Sequence, residues 1–354
     1  MEVRSTEWDR RAFTVGDREY LLLDVLLAAM WRGEWEAFEL HLRQGLACEA
    51  FSYDTDDPAD QDAVELATNE FRYDRELITA DETEEWLDKV GLSVENWSRY
   101  FARQHLWARW QNQLDEVVAA GAPTDEEVAD DVLGEGICSG TFRRLSTTLA
   151  GRAAVFIDRA TDEDDGAFEI DSARANEVMA THRRLFPGVT DDEYRERLAH
   201  LARLEDTFEQ ARREALTEQA LDAQVETSRL DWLLVDVERL PFTEESMVRE
   251  TRLCCQEDSL SLAQLAARIN RMVLREKVRL EECEMELRGL LLSAEPGELL
   301  GPLSVDDGFH ALVVRAKYLP DTQDPEVREL AETAVVSALE RRARVLHVRW
   351  HQRY

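Results

Sequence analysis

The chain has 354 residues, 44% of them hydrophobic, and sets 42 Lys and Arg against 75 Asp and Glu for a formal net charge of −33. That length allows two or three domains with cores of their own. The charge repels phosphate backbones and anionic bilayers, so nucleic acid and membrane are excluded as expected partners.

The basic residues are lopsided, since Lys89, Lys277 and Lys317 are the only lysines. Excess carboxylate with scarce lysine fits a salt-rich cytoplasm, and arginine bias equally fits a GC-rich genome; both readings stay open. Cys48, Cys138, Cys254, Cys255 and Cys283 contain no CxxC pair, and an odd, scattered set is not a disulfide framework. The opening MEVRSTEWDRR lacks a signal-peptide core. The apolar run 21–31 contains Asp24 and falls short of the ~20 residues of a membrane span. The expected location is cytoplasmic.

In chain order, seven of the nine tryptophans (Trp8, Trp31, Trp35, Trp86, Trp97, Trp107, Trp110) lie in the first 110 residues and predict an aromatic helical core. Trp35, Phe38 and Leu42 share one helix face. Thr79 and Glu82 make a capping box, Gly91 ends that helix and Ser93 caps the next, whose face carries Trp97, Phe101, Gln104 and Ala108. The acidic stretches 121–131 and 161–166 read as solvated loops, and neither has the ligand spacing of a calcium loop. Thr190 and Glu193 open a long helix, 191–225, expected to connect two domains.

The period then changes. RLDWLLVDV (229–237), bounded by Pro241, reads as a strand. Helices follow after Thr243 and after the Ser261/Gln264 capping box. RMVLREKVRL is a further strand, MELRGLLL a short helix, and EPGELLGPLSVDDGFHALVV (295–314) a hairpin. Asp324 as N-cap with Pro325 at the first position starts the last helix.

The order of elements from 229 to 319 resembles the parvulin-type peptidyl-prolyl isomerases, in which four strands and four helices surround a proline-binding groove. The matching residues are Gly297, Glu298, Gly301, Pro302, Gly308, Phe309 and His310. The flanking order is similar to the SurA-like (PpiC-type) chaperones, and a version without a signal peptide resembles the PpiC-related proteins of peptide maturation systems. The resemblance implies an α+β, mostly helical fold. A SurA-like helical domain would occupy 1–190, a connecting helix 191–225, a degenerate parvulin-like domain 226–320, and a C-terminal helix at 321–354 would return to the helical body.

The departures bear on activity. Parvulins carry a histidine in the first strand where Trp232 stands here; the usual glycine-rich loop has no counterpart in RMVLREKVRLEEC; and Leu292 takes the place of a pocket phenylalanine. Of the polar network only His310 remains, with a structural and a catalytic reading both open. Prolyl isomerisation lowers a torsional barrier of ~18–20 kcal/mol without breaking a bond, so losing polar partners weakens catalysis more than peptide binding. Trp232 and Leu292 either hold peptide or fill a dead groove.

Other constellations are weaker. His347 and His351 have helical i, i+4 spacing without the HExxH glutamate, Cys254 and Cys255 read as packing residues, and there is no GxGxxG, Walker loop or GxSxG. The expectation is a peptide-binding accessory or chaperone with peptide-contacting residues Trp232, Leu292 and His310. It needs no catalytic residue, metal or cofactor, and its partners are an extended or precursor peptide and the enzyme modifying it. An active prolyl isomerase and an interaction scaffold are the alternatives.

Overall fold

The computed structural model describes residues 8–159, 171–186, 190–305 and 308–351. They fall into two units, Met1–Arg212 with Leu339–Tyr354, and Arg213–Ala338. The fold is α+β and mostly helical.

The first unit opens with a hairpin of β1 (Arg11–Val15) and β2 (Arg18–Leu21), which places Val15 opposite Arg18 across the Gly16–Asp17 turn. Helix α1 (Leu22–Arg32) follows directly, and its residues 22–30 are all buried, as an all-round apolar helix requires. Asp24 closes its N-terminus by accepting from the Leu21 N–H at 2.8 Å, and its other oxygen accepts from Arg197 at 2.7 Å.

In α2 (Trp35–Thr55) the expected stripe of Trp35, Phe38 and Leu42 is buried. After α3 (Gln61–Asp74), α4 (Ala80–Val90) carries the reciprocal Thr79/Glu82 box, and Ser93 caps α5 (Val94–Trp110) by accepting from the Asn96 N–H at 3.0 Å. Phe71 meets Trp97 and Phe101 edge-on, at centroid distances of 6.1 and 5.3 Å, the geometry favoured by ring quadrupoles.

The unit continues through α6 (Leu114–Ala120), α7 (Asp125–Cys138), α8 (Thr141–Arg159), α9 (Ser172–Leu185) and α10 (Asp191–Ala215). The loop expected over 121–131 is confined to its first residues. Thr124 and Glu127 form a third capping box there, and α7 buries Val128, Val132 and Ile137 behind its acidic first turn. Residues 161–166 lie outside the described set.

The helix expected over 191–225 is two helices. The first ends at Ala215, and Thr217 caps α11 (Glu218–Thr227) by accepting from the Ala220 N–H at 3.2 Å.

The second unit is built on β3 (Leu234–Phe242), α12 (Glu245–Glu257), α13 (Leu262–Arg268), β4 (Leu274–Arg279), a 3-10 turn at Leu280–Glu282, α14 (Met285–Ser293), β5 (Leu299–Val305) and β6 (Gly308–Tyr318). The antiparallel sheet has the order β4-β3-β6-β5. Strand β3 starts later than 229, because Trp232 lies in a turn where its N–H donates to the Ser228 carbonyl at 2.9 Å. It also runs through Pro241 rather than stopping there. Pairing with β4 ends at Arg239 opposite Leu274, so the missing proline N–H has no ladder bond to break on that side.

One face of the sheet (Leu233, Val235, Val237, Leu312, Val314) packs on Leu280, Leu291 and Ala294. The other (Leu240, Phe242, Ala311, Val313) packs on Val248 of α12 and on Leu262 and Ala266 of α13.

The last helix, α15 (Pro325–His347), starts as expected, with Asp324 accepting from the Glu326 N–H at 3.0 Å. Its closing residues belong to the first unit, where Glu340 accepts from Arg152. There β7 (Val348–Trp350) pairs with β1, Val348 opposite Val15, to complete the sheet β2-β1-β7. Among the described residues, no helix is long and apolar enough to cross a membrane.

Candidate functional site

Two glycines bring the strands of the second unit together around His310. Gly301 has φ +122°, and a side chain there would place Cβ 2.7 Å from the His310 carbonyl oxygen. Gly308 has φ +139°, and its Cβ would stand 2.4 Å from the carbonyl oxygen of Phe242. Neither position admits another residue without moving backbone. The Gly-Pro and Asp-Gly-Phe-His steps of the sequence are therefore the points where β5 and β3 close on β6.

His310 sits in register with Pro241 on β3 and Leu303 on β5 and is 4% exposed. Side chains alternate along a strand, so His310 shares the face of Leu312 and Val314, the one covered by α14. Leu292, in the last turn of α14, is half-buried on that same cluster, beside half-buried Leu300 and Leu303 of β5. The Leu292 carbonyl accepts from Lys317 Nζ at 2.8 Å, tying the end of α14 to β6. Leu292 and His310 thus come to one sheet face.

Trp232 does not join them. It precedes β3, and Leu233 and Val235 take the sheet face instead. Its ring packs among Leu221 and Val225 of α11 and Val327 and Ala331 of α15, and its Nε1 donates to Glu281 at 3.1 Å. Only 5% remains exposed. The place of Trp232 in the site is corrected accordingly: as folded, it has no free apolar face to lay against a peptide.

The other nucleophile and metal candidates are accounted for by packing. All five thiols are free. Cys283, half-buried, donates to the Arg279 carbonyl at 3.5 Å, and burial pushes its pKa up; burial likewise raises Cys255, helped by neighbouring Cys254. Raised thiols are poor nucleophiles. His347 meets Asp158 at 3.3 Å and His351 meets Thr14 Oγ1 at 2.6 Å, so the pair diverges. Among the described residues no three His, Cys, Asp or Glu converge as a metal site.

Sequence reasoning missed the β1–β2 hairpin, whose alternating RAFTV and REYL around a Gly-Asp turn carry the signal. It also missed the cleft on α2 described below, for which no linear motif exists.

No protein family and no curated protein matches the chain. Among solved structures it is similar to a peptidylprolyl isomerase (PrsA) from Bacillus cereus, at 14% identity over 61% of this chain and 84% of that one, with a TM-score of 0.33. It is also similar to foldase protein PrsA from Streptococcus pneumoniae, at 12% identity over 56% and 77% of the two chains with a TM-score of 0.26. A third similarity is to the Campylobacter jejuni pair PEB4 and Cj1289, described as SurA-like chaperones, at 11% identity over 78% and 96% with a TM-score of 0.18.

Proposed function

We propose that this chain is a chaperone-like accessory protein that holds an extended polypeptide and does no chemistry on it. One observation carries the reading. The sheet face of His310 keeps a half-buried apolar rim of Leu292, Leu300 and Leu303, while the residue standing where parvulins have their first histidine, Trp232, is built into a helical core. This face offers apolar contact beside a buried imidazole, and the histidine that parvulins place in the first strand, one of the groups that favour a twisted amide over a planar one, is replaced here by an indole. The order strand, two helices, strand, helix, hairpin supports the parvulin-like ancestry of the unit. The sequence resemblance points further, to a precursor peptide in a cytoplasmic maturation system as the client and to its modifying enzyme as a partner.

The test pairs two assays on the full chain. A fluorescein-labelled, proline-containing unfolded peptide is titrated against the wild type and against a Leu292→Glu, Leu303→Glu variant, and the same proteins enter a protease-coupled prolyl assay. Saturable binding weakened by the variant, with prolyl rates equal to buffer, is the expected result. A rate above buffer that His310→Ala abolishes replaces this reading with an active isomerase. No binding at all replaces it with a scaffold.

A further inference from the structure

The first unit holds a cleft unrelated to the sheet face of His310. Leu46, Glu49, Ala50 and Tyr53, at i, i+3, i+4 and i+7, line it from α2, with Tyr53 at its open edge; Arg99 of α5, the extended segment 121–123 and Glu127 complete the lining. Its volume is about 350 Å³, room for one long side chain.

The charges are out of balance. Arg99 donates from Nε to Glu49 at 2.5 Å and stands 3.2 Å from Asp131. Arg103 behind it is 3.9 Å from Glu49 and pairs with Asp131 and Glu135. Of the groups that line the cleft, Arg99 alone thus stands against two carboxylates, Glu49 and Glu127, while Asp131 and Glu135 lie buried behind it on Arg103. On the far side of Pro123, Arg43 and Arg184 are matched by Glu39 and Asp125 and add no surplus.

Glu127 is fully at the surface, one of its oxygens engaged with Thr124, and Tyr53 presents a ring that is 90% exposed. Leu46, Ala50, Ala122 and Pro123 supply the apolar wall that an aliphatic stem needs, and the carboxylate excess with an open aromatic ring is what an ammonium or guanidinium head needs.

The geometry points to a binding site for a lysine or arginine side chain projecting from an extended polypeptide laid across α2. The net charge of −33 works in the same direction, by concentrating basic segments and repelling acidic ones. The site goes beyond the proposed function: it lies in the other unit, needs no proline, and names the composition of the chain that is held.

The probe is a proline-free, fluorescein-labelled decapeptide of Gly, Ser and Ala with two central lysines, compared by anisotropy with its norleucine and glutamate counterparts. The full chain is used as wild type and as a Tyr53→Ala, Glu127→Gln variant. Glutamine preserves the capping box at Thr124, and Tyr53 is nearly free of packing, so the variant retains the wild-type melting temperature. The expected order is lysine tighter than norleucine and glutamate weakest, with the variant losing about fivefold for the lysine peptide alone. Equal binding of lysine and norleucine peptides overturns the inference, as does wild-type affinity in the variant. So does tighter binding of free spermidine than of the peptide, which would make the site one for small polyamines. The Leu292→Glu, Leu303→Glu variant binds this probe normally, so failure of the sheet-face reading and failure of this one are told apart.

Discussion

Arg103 and Glu135 pair at 2.9 Å with each side chain 1% exposed, and Asp131 takes the second arm of the same guanidinium at 2.9 Å. The triad joins α5 to α7 where a helix-helix core would ordinarily be apolar. Such a pair gains little over an apolar substitute, yet breaking it strands a charge out of water. Arg103→Met, which leaves the Glu135 carboxylate buried without its guanidinium, is expected to destabilise the first unit by about 3–5 kcal/mol, read as a lowered urea midpoint. Joint replacement of Arg103, Asp131 and Glu135 by Met, Leu and Leu is expected to recover most of that loss.

Trp232 supports a separate apolar cluster between α11 and the start of α15. Trp232→Ala should cost about 3–5 kcal/mol in equilibrium unfolding, as loss of a buried ring does. Near-wild-type stability would mean that the ring is not the core residue its burial describes.

His182 and His200 give the fold a pH dependence. Burial lowers both to about 3, with Arg18 and Arg203 adding to the shift at His200. The unfolded chain takes up protons near 6.5 that these folded imidazoles refuse, so their contribution is complete above pH 6.5 and is lost as pH falls toward 3. The urea midpoint should already drop between pH 7 and pH 5, before most carboxylates titrate. His200→Gln, which can still bond the Tyr20 hydroxyl now 2.9 Å from the ring, should flatten that drop.

Thiol reactivity should follow burial. Burial pushes Cys48 up to about 11, and burial together with the nearby Glu135 carboxylate pushes Cys138 up to about 12. Alkylation of the native chain at pH 8, mapped by mass spectrometry, should label half-buried Cys254, Cys255 and Cys283 well before these two. Equal labelling rates would contradict the buried positions of Cys48 and Cys138.

Gly308→Ala directs a methyl group at the Phe242 carbonyl and should loosen the β3–β6 pairing by more than 1 kcal/mol. Faster hydrogen exchange confined to Phe242, Phe309 and their neighbours is the expected signature.

Much of this architecture was legible in the chain because its signals are local. A hydroxyl at Thr79 or Ser93 can reach only the N–H groups one turn ahead, so capping boxes mark helix starts wherever they occur, and the one at Thr124 was hidden only by the acidic run around it. The 3.6-residue period of Trp35, Phe38 and Leu42 and the Gly-Pro and Asp-Gly steps around His310 are constraints of the same short range.

Other features depend on residues far apart in sequence. The side to which Trp232 turns was settled by the helices α11 and α15 that receive it, and the third strand beside β1 came from residues more than 300 positions away. The carboxylate excess in the cleft on α2 arises because α2, α5 and α7 are packed together, so that Glu49, Arg99 and Glu127, separated by 50 and 28 positions, line one space. Local sterics and hydrogen bonding wrote the elements into the sequence; burial and charge balance, which depend on what lies across the core, were decided only when the chain had folded.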